Sequence, residues 1–341
     1  MKEVDSTTFA DRFVKRLNRL VAGIDAREAS FAARGFPSSD TQSQQRLESI
    51  GRFFLAGYNA ALFASATSQL KGTIAAFEGR FRGFVIEGAA MGCAIADAMP
   101  WARLSGPNDR SYTFLTEHRE FHPYLSTVGI GWALARIPWR RRTYLCQVDP
   151  FLISLAFDGW GFHDVYFKPG RLARPTANRA IACLGGVLAL RSWDQGAGRA
   201  LWFTSGGRFK AAADQIRTLS EHRRSDLFSG LGLAMTYAAG SAIPSCDEVR
   251  KLAGAYVGDL RQGSAFGLEA HARAGTLHEE NERMARALTS REPTALVEIV
   301  RAEMPAPSLT CLSIETGQLA YQRWRARVAR ALAEHDSEGG Q

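Results

Sequence analysis

Paired glycines inside apolar, helix-forming segments constrain this fold more than any other feature of the sequence. Gly129 and Gly131 lie in VGIGWALARIP, and Gly159 and Gly161 lie in LAFDGWGFHDVYF. The pair returns at Gly196/Gly198 and Gly230/Gly232, so the four copies start 30, 37 and 34 residues apart. A form lacking the second glycine occurs at Glu87-Gly88-Ala89-Ala90. Spacings of this size mark arrays of helical hairpins. Each glycine inside a helix costs about 0.5–1 kcal/mol relative to alanine. Two gains can offset that repeated cost: close approach of neighbouring helices, or room for a ligand beside the backbone.

The 341 residues suffice for one large core or two intimately packed halves. With 46% hydrophobic residues, including 20 Phe and 7 Trp, the chain is an ordered one. Only 12 prolines interrupt an alanine-rich sequence. The expected class is all-α: many helices in packed hairpins, arranged as an α/α toroid, a solenoid or an irregular bundle. An N-terminal amphipathic helix within 1–30, one large helical domain over 31–335 and a disordered tail at 336–341 are expected. Five cysteines without a CxxC fit reduced thiols, most of them buried as small hydrophobes. The N-terminal MKEVDSTTFADRF has no apolar signal core, and no stretch reads as a membrane span, so a cytoplasmic protein is expected. The net charge of +8 favours an acidic partner or an anionic surface. Nucleic acid is a poor fit, because no recognised binding motif is present.

Residues 7–25 read as an amphipathic helix, with Phe9, Phe13, Leu17, Leu20, Val21 and Ile24 on one side and basic residues on the other. It either packs on its own domain or makes peripheral contact with a membrane. The cluster Arg140 to Arg142 offers the same choice. A helix is predicted from about Gln45 into the Leu70 region, with Tyr58 and Asn59 as polar interruptions and candidate ligand contacts. Another spans Arg82 to Met99. Its Glu87 sits among apolar neighbours, and a buried carboxyl needs a hydrogen-bond partner or a proton. Glu87 is read either as a general acid/base or as the partner of an arginine from a neighbouring helix.

His118 and His122 are four apart and can share a helical face. Without a third ligand they make only a weak metal site, so no metal or other cofactor is assigned. His122 alternatively caps the helix that follows Pro123. Asp158, His163 and His122 are acid/base candidates, and Trp160 is a candidate substrate contact. Ser192 to Asp194 predicts a helix break, with Asp194 capping the segment that bears Arg199 and Trp202. Arg223 and Asp226, three apart, are expected to pair. Asp194, Arg199, Trp202, Arg223 and Asp226 are therefore candidate substrate contacts.

FFLAGYNAAL, RGFVIEGAAM, VGIGWALARIP, LAFDGWGFHDVYF, DQGAGRALWF, RRSDLFSGLGLAMTYAAG and the region of LRQGSAF span most of residues 46–275. In these stretches the chain resembles a bacterial family of unknown function that accompanies enediyne polyketide biosynthesis and also occurs in other loci. The resemblance implies an accessory protein acting beside a polyketide synthase on a hydrophobic polyene. It implies modification or cyclisation by acid/base chemistry, with non-catalytic binding or complex assembly as the alternative. No dinucleotide fingerprint or phosphate-binding loop is present.

Overall fold

The computed structural model describes residues 9–38, 40–105, 109–173, 178–240, 242–306 and 313–338. In chain order the helices are α1 (Phe9–Ala22), α2 (Phe31–Arg34), α3 (Thr41–Phe63), α4 (Leu70–Ala75), α5 (Gly79–Ala98), α6 (Arg110–Glu117), α7 (Pro123–Arg136), α8 (Arg141–Leu145) and α9 (Ile153–Phe167). They continue as α10 (Asn178–Thr204), α11 (Phe209–Arg217), α12 (Glu221–Ala238), α13 (Cys246–Ala253), α14 (Val257–Ala274), α15 (Glu279–Thr289), α16 (Pro293–Ala302) and α17 (Ile314–Glu338). Short 3₁₀ turns link several of them, and no strand occurs among the described residues. The protein is all-α.

Seven long helices form the frame: α3, α5, α7, α9, α10, α12 and α14, each packed on the next. Glycine sets the spacing. A Cβ on the first glycine of a helix would overlap a carbonyl of the preceding helix. Gly88 meets Phe54 in this way, Gly129 meets Glu87, Gly159 meets Val128, Gly196 meets Asp158, Gly230 meets Gln195, and Gly263 meets Ser229. A Cβ on the second glycine would overlap a carbonyl of the following helix. Gly57 meets Val85, Gly131 meets Ala156, Gly161 meets Trp193, Gly198 meets Leu227, and Gly232 meets Leu260. Positions i and i+2 of a helix point about 200° apart. A Gly-x-Gly pair therefore strips both flanks of one helix, and its two neighbours press in to backbone contact.

The neighbours run in the same direction. Gly88 and then Gly92 meet Phe54 and then Tyr58 of α3, and Gly263 and Gly267 ascend α12 in the same order. Short helices between the long ones return the chain. Between α9 and α10 that role falls to the first turns of α10, which break at Gly186 with φ +65°. The array curls until α5 meets α12, where the Phe84 and Tyr237 rings lie 5.1 Å apart. Arg46 of α3 donates to the Ala238 carbonyl at 2.6 Å. α17 lies across α10 and α14 and closes the remaining side.

Several local expectations change. The helix predicted into the Leu70 region ends at Phe63, and α4 is separate. The break predicted at Ser192 to Asp194 sits instead at Gly186, where a positive φ suits glycine. In α1 the buried face is Val14 and Asn18, while Phe13, Leu20 and Val21 are exposed. Asn18 turns the helix: its amide donates to the Leu62 carbonyl at 2.9 Å and accepts from Trp101 Nε1 at 2.8 Å. Residues 336–338 of the expected tail belong to α17, and 339–341 lie outside the described residues. Cys93 is buried, but Cys146, Cys183 and Cys246 are exposed, contrary to expectation; Cys311 lies outside the described residues.

The glycine contacts give a paired test. A Cβ placed on Gly258 of α14 would point into open space, so Gly258→Ala should gain roughly 0.5–1 kcal/mol from helix propensity. Gly196→Ala should lose about 2–4 kcal/mol despite the same propensity gain, because backbone must move. Denaturant unfolding of both variants measures this. A neutral Gly196→Ala would show that the spacing is not set by glycine.

Candidate functional site

The glycine register decides which side chains point inward. The residue before the first glycine and the residue after the second are four apart, so they share a face. Those positions hold Glu87 and Met91 in α5, Val128 and Trp132 in α7, Asp158 and Phe162 in α9, and Leu233 in α12. In α10 the residue after the second glycine is Arg199. All of these line the interior, which contains two chambers.

The first chamber has about 780 Å³ of empty space, its open mouth included. Phe54, Phe84, Phe162, Tyr166 and Phe203 give it aromatic walls, and Ile24, Glu28 and Ala29 of the N-terminal segment lie at its edge. Besides Glu28 at the edge and the Tyr166 phenol, its polar groups are Glu87, Arg199, the Trp132 indole and the Tyr237 hydroxyl. Trp132 Nε1 donates to Glu87 Oε1 at 2.9 Å, and an Arg199 amino group lies 3.8 Å from the same oxygen. The other side of Arg199 makes a direct ion pair with Asp158 Oδ1. Its guanidinium also lies 5.1 Å from the centre of the Phe162 ring.

One cation thus faces two buried carboxyls. Burial pushes Glu87 up from 4.5 to about 7, while Arg199 and the Trp132 bond pull it back and Asp158 adds to the rise. Burial also raises Asp158, against the opposing pull of Arg199. For Arg199 burial acts downward, but Asp158 and Glu87 outweigh it and keep the guanidinium charged. Asp158 holds the direct contact with the guanidinium, and Glu87, at 3.8 Å from it, is held up to about 7. For Glu87 the more distant approach of the guanidinium offsets burial only in part.

Glu87, Asp158 and Arg199 converge, although 41 residues separate the ion pair Asp158–Arg199. The other candidates go elsewhere. Tyr58 Oη donates to the Ala22 carbonyl at 2.8 Å, and Asn59 bonds both the amide and the carbonyl of Ile24. Both pin the N-terminal segment rather than face the chamber. His163 packs against Trp132 and Phe167 and pairs with Asp164, not Asp158. Trp160 lies under Arg141, 4.0 Å from its guanidinium, and Trp202 donates to the Ala239 carbonyl.

Asp194 caps nothing: it sits inside α10 and takes a forked bond from Arg223 at 2.7 and 3.0 Å. Asp226 pairs with Arg191 and Arg325 at 2.9 and 2.8 Å, so the expected Arg223–Asp226 pair is absent. Guanidiniums from neighbouring helices reach these buried carboxylates and satisfy them with fork geometry. His118 ends α6 with its ring stacked on Phe114, whereas His122 stands before α7, so the two do not share a helix face. His122 makes no side-chain cap either. Among the described residues no three His, Cys, Asp or Glu side chains converge as metal ligands.

Trp132 and Tyr237 were not singled out from the sequence. A signal for Trp132 existed: it follows Gly131 as Arg199 follows Gly198. Tyr237 has no such mark. Its ring stacks on His271 at 4.0 Å, and His271 Nε2 lies 2.9 Å from the Tyr237 carbonyl.

A family model matches residues 13–332, which include every helix of the frame. The chain belongs to DUF1702, whose description is "Protein of unknown function". The match extends well beyond the 46–275 region of resemblance, so the frame and most of α17 and α1 are parts of one DUF1702 unit. No curated protein and no solved structure matches the chain.

The Glu87 environment has a measurable sign. Its folded-state value lies above the ordinary 4.5, so the protonated form favours folding. That stabilisation is complete below about pH 4.5 and is lost as pH rises through about 7, a difference of about 3 kcal/mol. Glu87→Gln keeps an acceptor for Trp132 and carries no titrating proton. Denaturant unfolding from pH 4.5 to 8 should therefore show wild type losing about 3 kcal/mol relative to the variant. Parallel pH profiles would remove the buried acid from the site.

Proposed function

We propose that this chain takes a hydrophobic, polyketide-like molecule into the first chamber and that Glu87 acts on it as a general acid. One observation carries the reading: a carboxyl poised near neutrality forms a polar spot in an otherwise aromatic and aliphatic chamber. Such a chamber suits a largely apolar ligand that needs a few polar contacts for orientation. An acid with a value near the working pH is suited to proton transfer. Oε1 of Glu87 accepts from Trp132, which leaves the proton on the other oxygen. Protonation of a ligand carbonyl or polyene would promote isomerisation or cyclisation. Both are redox-neutral, and the proton lent by Glu87 returns when the ligand loses one elsewhere. Arg199 would hold a ligand oxygen and steady the charge that develops there.

The second reading is a non-catalytic binder of the same kind of molecule, or an assembly factor for a polyketide synthase. Its support is the closed network itself: Asp158 is held by Arg199 and Glu87 by Trp132, an arrangement that also serves as a static anchor. An enediyne setting rests on the sequence resemblance alone.

We place the protein in the cytoplasm, with α1 touching an anionic membrane surface. No helix among the described residues is long and apolar enough to cross a membrane. α1 exposes Phe13, Leu20 and Val21 together with Arg12, Arg16 and Arg19. The arginine cluster contributes less, because Arg140 donates to the Asp97 carbonyl and Arg141 to the Leu134 carbonyl.

Mass spectrometry of the protein incubated with synthase products tests the main reading. Wild type should transform a bound polyene, and Glu87→Gln should bind it without turnover. Binding by both with transformation by neither would establish the binder instead. For the membrane contact, flotation with anionic vesicles should succeed at low salt and weaken at high salt. It should fail for Leu20→Ser/Val21→Ser, and a wild type that never floats would exclude the contact.

A further inference from the structure

Behind the first chamber lies a second, with about 470 Å³ of empty space, open parts included. Leu125, Leu155, Phe266 and Ala270 form much of its wall, and Tyr321 and Trp324 of α17 cover it. Arg199, Leu233 and Tyr237 line both chambers, so the two stand back to back with the guanidinium between them. Two deeply buried polar atoms at this partition lack a hydrogen-bond partner. They are Asp158 Oδ2, on a residue 1% exposed, and Tyr237 Oη, on a residue 4% exposed. A buried carboxylate oxygen and a buried phenol left without partners carry a desolvation penalty that a ligand can relieve.

Asp158, Arg199 and the Tyr237 hydroxyl thus meet at the shared partition; away from it the walls are mostly hydrocarbon and aromatic ring, with the phenols of Tyr124 and Tyr321 in the second chamber and Glu28 and Tyr166 at the first. A ligand that brought a polar terminus to Asp158 and Tyr237 would leave one chamber empty. We propose that the second chamber is a ligand compartment and that the cognate molecule is a linear, largely apolar chain oxygenated near its middle. One arm fills each chamber, and a mid-chain hydroxyl donates to Asp158 Oδ2 and accepts from Tyr237 Oη. This inference rests on the first chamber being a ligand site, and it narrows the ligand class of that site. It also gives Asp158 a ligand-binding role beside its ion pair, with Arg199 as the group that both halves of the ligand pass.

The probes are pentadecan-8-ol, pentadecan-1-ol and octan-1-ol, titrated by intrinsic tryptophan fluorescence; Trp132 reports on the first chamber and Trp324 on the second. Wild type should bind the internal alcohol about tenfold more tightly than the terminal isomer, the equivalent of one or two buried hydrogen bonds. Ala270→Phe fills the second chamber without touching the partition. It should abolish that preference and leave octan-1-ol affinity unchanged. Equal affinities of the two pentadecanols for wild type would overturn the inference, as would a preference that survives in a folded Ala270→Phe. If the variant does not fold, the wild-type comparison decides by itself. Binding of octan-1-ol without any isomer preference would leave the first chamber standing as a site and remove only the second. No binding of any of the three would overturn both readings.

Discussion

The backbone contact between neighbouring helices, a carbonyl seated against a glycine, governs the rest of this structure. At van der Waals range it tolerates no Cβ, so it fixes how deep each helix sits against the next. Because the glycines alternate between the two flanks, each helix is locked on both sides. Register follows directly. Once a glycine faces a neighbour's carbonyl, the flanking residues turn inward, and most of them become chamber wall, whereas Gln195 and Ser229 bond Tyr321 and Gln262 instead. The energetic balance is a small loss of helix propensity at each glycine against extensive close packing along each interface.

The same constraint places the charges. Glu87 and Asp158 each precede a first glycine, and Arg199 follows a second one. Their backbone positions are therefore set by packing that has nothing to do with charge. Electrostatics then determines protonation. A single guanidinium is shared by two buried carboxyls, so the one without the direct contact, Glu87, has its value raised to about 7. Tyr237 is held at the partition by His271 from α14, a residue outside both chambers. The other buried ion pairs, Asp194–Arg223 and Asp226–Arg325, tie frame helices to each other and to α17. They satisfy their carboxylates fully enough to be structural joints, whereas Asp158 keeps one oxygen without a partner at the chamber.

Much of this was legible in the chain. Glycine pairs in apolar segments pointed to close helix contact or room for a ligand, of which the structure shows the first, and Glu87 among Val85, Ile86, Ala89 and Ala90 pointed to a buried carboxyl. Both follow from local chemistry: a missing side chain and a charge with apolar neighbours keep their meaning in any fold that buries them. Amphipathicity was less reliable. In α1 the hydrogen bonds of Asn18 override the apolar stripe and leave Phe13, Leu20 and Val21 exposed. The helix break near Ser192 failed for a related reason, because Gly186 was free to take a positive φ and the chain turned there first.

Partnership was a matter for the tertiary structure alone. Arg223 and Asp226 are neighbours in sequence, yet each pairs with a residue on another helix. Asp158 meets Arg199 across 41 residues, and Trp132 meets Glu87 across 45. Sequence spacing controls contacts only within a helix, where three or four residues make a turn. Between helices, the contact is chosen by which carbonyl docks on which glycine and how the array curls. The sequence by itself therefore determined that the protein would be helical, closely packed and furnished with a buried acid. The curl of seven helices decided that this acid would share one arginine with a second carboxyl, because only packing in three dimensions brings their separate faces to a common interior.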